Sequence, residues 1–230
     1  MRVIVRTFSE LCVTVGAVIV LFVVYVLFWT GVRADHAMDD QIDVLQEQWA
    51  HQEAGPTAGA PGAGTGAAPG PVPYRGGRPF AIMYIPRLGS TWNKPVLEGT
   101  ATGTLKKGLG HYAGTARLGQ TGNFSVAGHR RTYGDPFKDF PQLRRGDAVV
   151  LTDGTTWFTY RIDKGPYKTV PSDVEVIGAV PRKSGYTRPG RYLTLTTCDP
   201  EWGHSHRLIV WAHLDSTQPV EAGEPKALRR

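Results

Sequence analysis

The sequence predicts an all-β globular domain carried behind a single membrane-spanning helix, and three features of the 230 residues predict it. From 79 to about 216, short runs rich in Val, Ile, Thr, Tyr, Phe and Trp alternate with Gly, Pro, Asn and Asp, the spacing of a β-sandwich or barrel. Ahead of that region, Leu11 to Trp29 is apolar without one charged residue. Between the two lies a stretch, 54–73, made almost wholly of Gly, Ala, Pro and Thr.

The N-terminal elements follow in order. At 1.5 Å per residue, a span of roughly 19 residues makes a helix of about 28 Å, close to the thickness of a bilayer's hydrocarbon. A cleaved signal peptide is the alternative, but the apolar run is longer than such a segment needs and no small-x-small cleavage site closes it. Arg2 and Arg6 precede the span, whereas Asp35, Asp39, Asp40 and Asp43 follow it. The positive-inside bias therefore assigns 1–10 to the cytoplasm, 11–30 to the membrane and everything beyond to the outside. Residues 31–53 are polar with Ile42, Leu45 and Trp49 at helical spacing, a juxtamembrane helix. The 54–78 segment buries too little apolar surface to offset its chain entropy and reads as a flexible linker that lets the domain range from its base. In the domain, 79–216, the strand runs are Phe80–Ile85, Phe124–Ala127, Ala148–Leu151, Trp157–Ile162, Tyr192–Thr197 and Leu208–Leu214, with helical turns near Thr102–Lys107 and Pro136–Leu143. The tail, 217–230, loses apolar character and is expected to fray.

Charge and cysteine count limit the function. The net charge of +6 is scattered, with no basic helix or aromatic-interleaved stripe, so nucleic acid is not an expected partner. The two cysteines, Cys12 inside the apolar span and Cys198 far outside it, are not placed to pair. An exported domain with one unpaired thiol holds it either as a buried apolar residue or as a reactive group.

Its neighbours favour reaction. In Thr194–Cys198, Leu193 and Leu195 point to one face and Thr194, Thr196 and Cys198 to the other, and Asp199-Pro200 ends the strand. If the following run pairs with it as a hairpin, Arg207 stands at the same end as Cys198. A guanidinium there offers fixed donors to the oxyanion of an acyl-transfer intermediate. Of seven histidines, His129 follows a strand and a glycine, a position from which it can serve a thiol as base. A zinc site using Cys198, His204 and His206 is the rival, though C-x5-H-x-H is not a usual zinc spacing. No acidic run forms an EF-hand loop, and no metal or cofactor is expected.

These segments resemble the sortase family. TLTTC at 194–198 is similar to its T-L-x-T-C signature, and Arg207 to its arginine opening the next strand. GNFSVAGHR (122–130) is similar to the segment bearing its catalytic His, while GLGHYAGTA (108–116) and TYGDPF (132–137) resemble class E, the housekeeping-type sortases of high-GC Gram-positive bacteria. Ala113 stands where related sequences often have Pro. The resemblance implies an eight-stranded β-barrel and a cysteine transpeptidase with Cys198 as nucleophile, His129 as base and Arg207 as oxyanion partner. It implies cleavage of an LAxTG- or LPxTG-like sorting signal between Thr and Gly, then transfer of the secreted protein to an amine of a lipid II-like peptidoglycan precursor. Thr196 and Thr197 are expected to help hold the signal. Tyr133 and His111 are further candidates, with an ordinary loop aromatic and a satisfied structural histidine as the alternatives. Two other readings stay open, an anchored peptidase that hydrolyses its intermediate and a non-enzymatic zinc domain.

Overall fold

The computed structural model describes residues 2–53 and 73–229, so most of the expected 54–78 linker, 54–72, lies outside the described residues. Eight strands form one closed barrel: β1 (Pro79–Tyr84), β2 (Asn93–Glu98), β3 (Leu109–His111), β4 (Gly122–Ala127), β5 (Ala148–Thr152), β6 (Thr156–Thr169), β7 (Arg191–Asp199) and β8 (His206–Pro219). Their order around the barrel is β1-β2-β3-β4-β7-β8-β6-β5. The β2–β3 and β4–β7 contacts are parallel and the rest antiparallel. Closure leaves no free sheet edge to template pairing with another chain.

Alternation fills the interior. Phe124 and Val126 of β4, Leu193 and Leu195 of β7, and Val210 and Ala212 of β8 meet Phe137, Phe140 and Tyr160 in one buried cluster. The opposite face of β7 and β8 is covered as well, by the segment between β6 and β7. There Val176 packs on Ile209 and Trp211, and its carbonyl accepts from Trp211 Nε1 at 3.0 Å and from Thr194 Oγ1 at 3.3 Å. Both expected turns are present, a short helix α2 (Thr102–Leu105, numbered after the N-terminal helix) and a 3-10 turn at Phe140–Gln142.

The N-terminal helix, α1 (Arg2–Glu53), is continuous, so the apolar span and the juxtamembrane helix are one element. Ile4–Tyr25 is long and apolar enough to cross a membrane, and its side chains are exposed in the chain alone. Farther along, Ala34, Met38, Ile42 and Leu45 are buried on one face of the helix, with Trp49 beside them. Spacings of four, four, three and four residues keep these side chains in a single stripe. Ile42 and Leu45 pack on Ile82 of β1, and Trp49 joins Tyr84 in the same cluster. The domain is therefore docked against its own stalk, where the composition suggested only a tether. The reason is that the sparse apolar face of 31–53 finds an apolar patch on β1.

Two boundaries also differ from expectation. The ordered chain starts before 79: Tyr74 stacks on Phe80 at 3.7 Å between centroids, and Gly76 bridges to Glu98. The tail does not fray, because β8 continues to Pro219 opposite Thr156, Pro225 is buried and Gln218 Nε2 donates to the Gly223 carbonyl at 2.7 Å.

Candidate active site

The site is built where β4, β7 and β8 end together. Cys198 is the register partner of Arg207, and directly opposed residues of an antiparallel pair share a face. β4 runs parallel to β7 with Ala127 opposite Thr196. Past the end of that ladder the chain is still tied, because Gly128 N donates to the Thr196 carbonyl at 3.1 Å and Thr197 Oγ1 donates to the Gly128 carbonyl at 2.9 Å. The next residue is His129. Cys198, His129 and Arg207 line one cleft of about 230 Å³, together with Tyr112, Thr196 and Thr197.

The electrostatics of the cleft are set by burial and a few cations. Burial, then the nearby Lys106 ammonium, lowers the His129 pKa below the usual imidazole value. Both influences favour the neutral ring. Its Nε2 is buried and has no hydrogen-bond partner among the described residues, which leaves it free to exchange a proton with whatever enters the cleft. The Arg207 fork is pinned by Nη1, which donates to the carbonyls of His204 and His206, each at 2.9 Å.

The residues next to Cys198 and His129 form a clamp that the sequence did not reveal. Arg130, following His129, donates from Nη1 to Asp199 Oδ1 at 2.6 Å and reaches the Cys198 carbonyl at 3.5 Å. Lys168 of β6 holds the other carboxylate oxygen at 2.8 Å. The hydrogen bond from Lys168, then that from Arg130, hold the Asp199 carboxyl below the ordinary carboxylate range against the opposing effect of desolvation. The loop ends bearing His129 and Cys198 are thus joined through charge as well as through the Gly128 and Thr197 hydrogen bonds.

The other expected residues divide. Thr196 Oγ1 is 3.0 Å from the Tyr112 hydroxyl, on the wall of the cleft. The Thr197 hydroxyl is spent on Gly128, so this residue positions the loop as well as lining the cleft. Tyr133 lies against His129, ring centroids 5.1 Å apart, and is half-exposed. His111 is not brought to the cleft. It is buried, stacks on Phe124, and shares hydrogen bonds with Glu98 at 2.6 Å and Thr115 at 3.0 Å, the satisfied histidine of the alternative reading. Its neighbour Tyr112 is the residue that borders the cleft. Period-two alternation at the end of β3 sends adjacent side chains to opposite faces, and that signal separates the two. Tyr112 also borders a depression of about 80 Å³ beside Val174, Ile177 and Ile209, and a wider recess of about 700 Å³ toward Ala116 and Asn123. Among the described residues, no three His, Cys, Asp or Glu side chains gather as a metal site.

A closed barrel of this topology with cysteine, histidine and arginine on one cleft defines a class, the sortase-type cysteine transpeptidases. The model of the sortase domain matches residues 83–215, and the chain belongs to the sortase family. Within it the resemblance is to class E. Sortase E1 of Streptomyces coelicolor is 36% identical over 97% of this chain, and the match spans only 60% of that relative's length. The solved structure of sortase E from Streptomyces avermitilis is 82% identical, covering 68% of this chain and all of that one, with a TM-score of 0.65. That of sortase E1 from Streptomyces coelicolor with a tripeptide in its active site is 38% identical, covering 66% of this chain and 97% of that one, with a TM-score of 0.62.

The clamp yields a stability prediction. Replacing Arg130 with Ala removes one of the two cations that hold a largely buried carboxylate, leaving Lys168, and should destabilise the barrel by about 2 kcal/mol, read as the shift in thermal or urea unfolding of the detergent-solubilised chain. Because the folded-state pKa of Asp199 is depressed, its contribution is complete above its unfolded value, near 3.8, and is lost as pH falls through the lower folded value. The gap between wild type and Asp199→Asn should therefore narrow below about pH 4. An undiminished gap down to pH 2 contradicts the clamp.

Proposed function

We propose that this chain is a membrane-anchored sortase that cleaves an LAxTG- or LPxTG-like sorting signal between Thr and Gly and joins the secreted protein to an amine of a cell-wall precursor. The observation that carries the reading is the Cys198–Arg207 register pair with His129 on the same cleft. The anchor, 11–30, keeps the N-terminus cytoplasmic and the barrel outside, close to a precursor that is itself held in the membrane. The tripeptide in the active site of the Streptomyces coelicolor relative supports a peptide in this cleft.

The geometry supports the following steps. A sorting signal lies along the wall formed by Tyr112 and Thr196, beside the apolar depression of Val174, Ile177 and Ile209. The Cys198 thiol gives its proton to His129, and sulfur attacks the Thr carbonyl carbon. The carbonyl oxygen becomes an oxyanion beside Arg207, whose charge and fixed fork stabilise it. Collapse breaks the Thr–Gly bond, and His129 returns its proton to the departing amine. A thioester on Cys198 remains. The acceptor amine then attacks, loses a proton to His129, and expels the thiolate, which is reprotonated. Water entering in place of the amine gives hydrolysis, so the transferase outcome rests on how the acceptor is positioned.

The test uses the full chain in detergent micelles with LAxTG and LPxTG peptides, with and without an amine acceptor, followed by mass spectrometry. Cleavage after Thr, an acyl adduct on Cys198, an amine-linked product, and loss of all three in Cys198→Ala are expected. Intact peptides and an unmodified protein would overturn the substrate assignment, and cleavage with no amine-linked product would favour a peptidase.

A second expectation concerns pH. With a neutral His129 as base, kcat/KM falls on the acid side only below about pH 6.5, since burial and Lys106 both lower its pKa. Lys106→Gln removes one of those influences and should move the acid limb upward, toward the ordinary imidazole value. A limb that stays in place or moves down contradicts the neutral-base assignment.

A further inference from the structure

The loop after His129 holds an unusual backbone. Tyr133, Gly134 and Asp135 have φ of 54°, 78° and 48°, three left-handed residues in succession. Glycine adopts that region freely, but a bulky residue such as tyrosine rarely does, and such conformations persist only where the surroundings over-determine them. Four contacts surround this turn. Arg131 Nη1 pairs with Asp135 at 3.2 Å, Trp92 Nε1 donates to the Pro136 carbonyl at 3.1 Å, Phe137 N donates to the His129 carbonyl at 3.0 Å, and the stalk helix α1 covers Gly134.

The last contact leaves no room for a side chain. A Cβ on Gly134 would overlap Met38 Cε and lie 2.7 Å from Asp35 Oδ1, so glycine serves here both for its φ and for the approach of the helix. Met38 is 1% exposed, buried between helix and loop. The stripe carrying it continues through Ile42 and Leu45 onto β1, so the helix is fixed to the barrel and not to the loop alone. On the far side of the same turn, the Tyr133 ring faces His129, and Lys106 lies over that ring at 5.0 Å. One turn is thus held by the stalk helix through Gly134 and meets His129 through Tyr133.

We propose that the stalk helix is part of the catalytic apparatus: Met38, packed on Gly134, holds the left-handed turn that sets Tyr133 against the His129 ring. Tyr133, Gly134 and Met38 are positioning residues acting through His129. This rests on the reading of His129 as the partner of Cys198. It also gives the juxtamembrane segment a role beyond distance from the bilayer, since anchoring and activation of the thiol share one contact.

The test is a double-mutant cycle in the full chain, in micelles, on a Cys12→Ser background so that Cys198 is the single thiol. The readout is the rate of Cys198 alkylation by iodoacetamide at neutral pH, which needs no sorting signal. Met38→Asp, which places a charge against the turn, should slow alkylation about ten-fold, within the range that small misplacements of a reacting group produce. Tyr133→Ala should slow it similarly. Together they should be no slower than either alone, because residues acting through one path are not additive. Multiplying effects, or a Met38→Asp rate equal to that of wild type, would overturn the proposal. If Met38→Asp does not fold by circular dichroism, Met38→Ala, which only opens a cavity, is read in the same cycle with the same criteria. A wild-type thiol that is alkylated rapidly by a His129-dependent route while sorting peptides stay intact would defeat the substrate assignment and leave this inference standing.

Discussion

The parallel pairing of β4 with β7 is the constraint on which the site depends. Neither strand is a sequence neighbour of the other, yet their register, Ala127 opposite Thr196, places the residue two beyond one strand end next to the residue two beyond that pairing on the other. Everything chemical follows from that alignment. Cys198 gains Arg207 from the antiparallel partner β8 and His129 from the parallel partner β4, so β7 is the strand through which all three are brought together. The hydrogen bonds of Gly128 and Thr197 extend the register past the ladder, and the Arg130–Asp199–Lys168 clamp ties the loops that follow. A barrel wall supplies what a free loop does not, a fixed separation between Cys198 and His129.

Polar groups around the cleft are arranged so that little is left to chance except the reacting atoms. Thr194, Thr197, Asn123 and Arg130 are all buried and hydrogen-bonded, which makes the surround rigid, because a buried polar group without a partner is expensive. The Nε2 of His129 is, with Arg130 Nε and Ser125 Oγ, among the buried polar atoms without a partner among the described residues. A ring nitrogen left open at the cleft, with burial favouring the neutral form, is what the proposed base requires. His111 is the contrast in the same molecule. Both of its ring nitrogens are engaged, its face is stacked on Phe124, and it holds β2 and β3 to the β3–β4 loop.

Much of this was legible in the sequence, and the remainder was hidden for identifiable reasons. Six of the eight strands show as β-rich runs, and the two that do not are β2, interrupted by Pro95, and β3, three residues long with Gly110 at its centre. Alternation in TLTTC gave the right face for Cys198, and hairpin geometry alone put Arg207 opposite it. His129 could be nominated from its place after a strand, but its contact with β7 is long-range and carries no local signature. The Arg130–Asp199–Lys168 ion pairs were invisible for the same reason. For the stalk, the periodicity of Ile42, Leu45 and Trp49 revealed an apolar face, while its partner on β1 could not be read from composition. The linker between them drew attention to reach, although the helix before it docks on the barrel.

Whether Cys198, His129 and Arg207 act on one acyl group is decided by a covalent adduct. The structure to determine is that of the full chain alkylated at Cys198 by a chloromethyl ketone ending in Leu-Ala-x-Thr. The expected adduct has the Thr carbonyl oxygen within hydrogen-bond distance of the Arg207 guanidinium, His129 Nε2 toward the leaving-group side, and the peptide along Tyr112 and Thr196. An adduct whose carbonyl oxygen points away from Arg207, with the peptide on another face of the barrel, would contradict it.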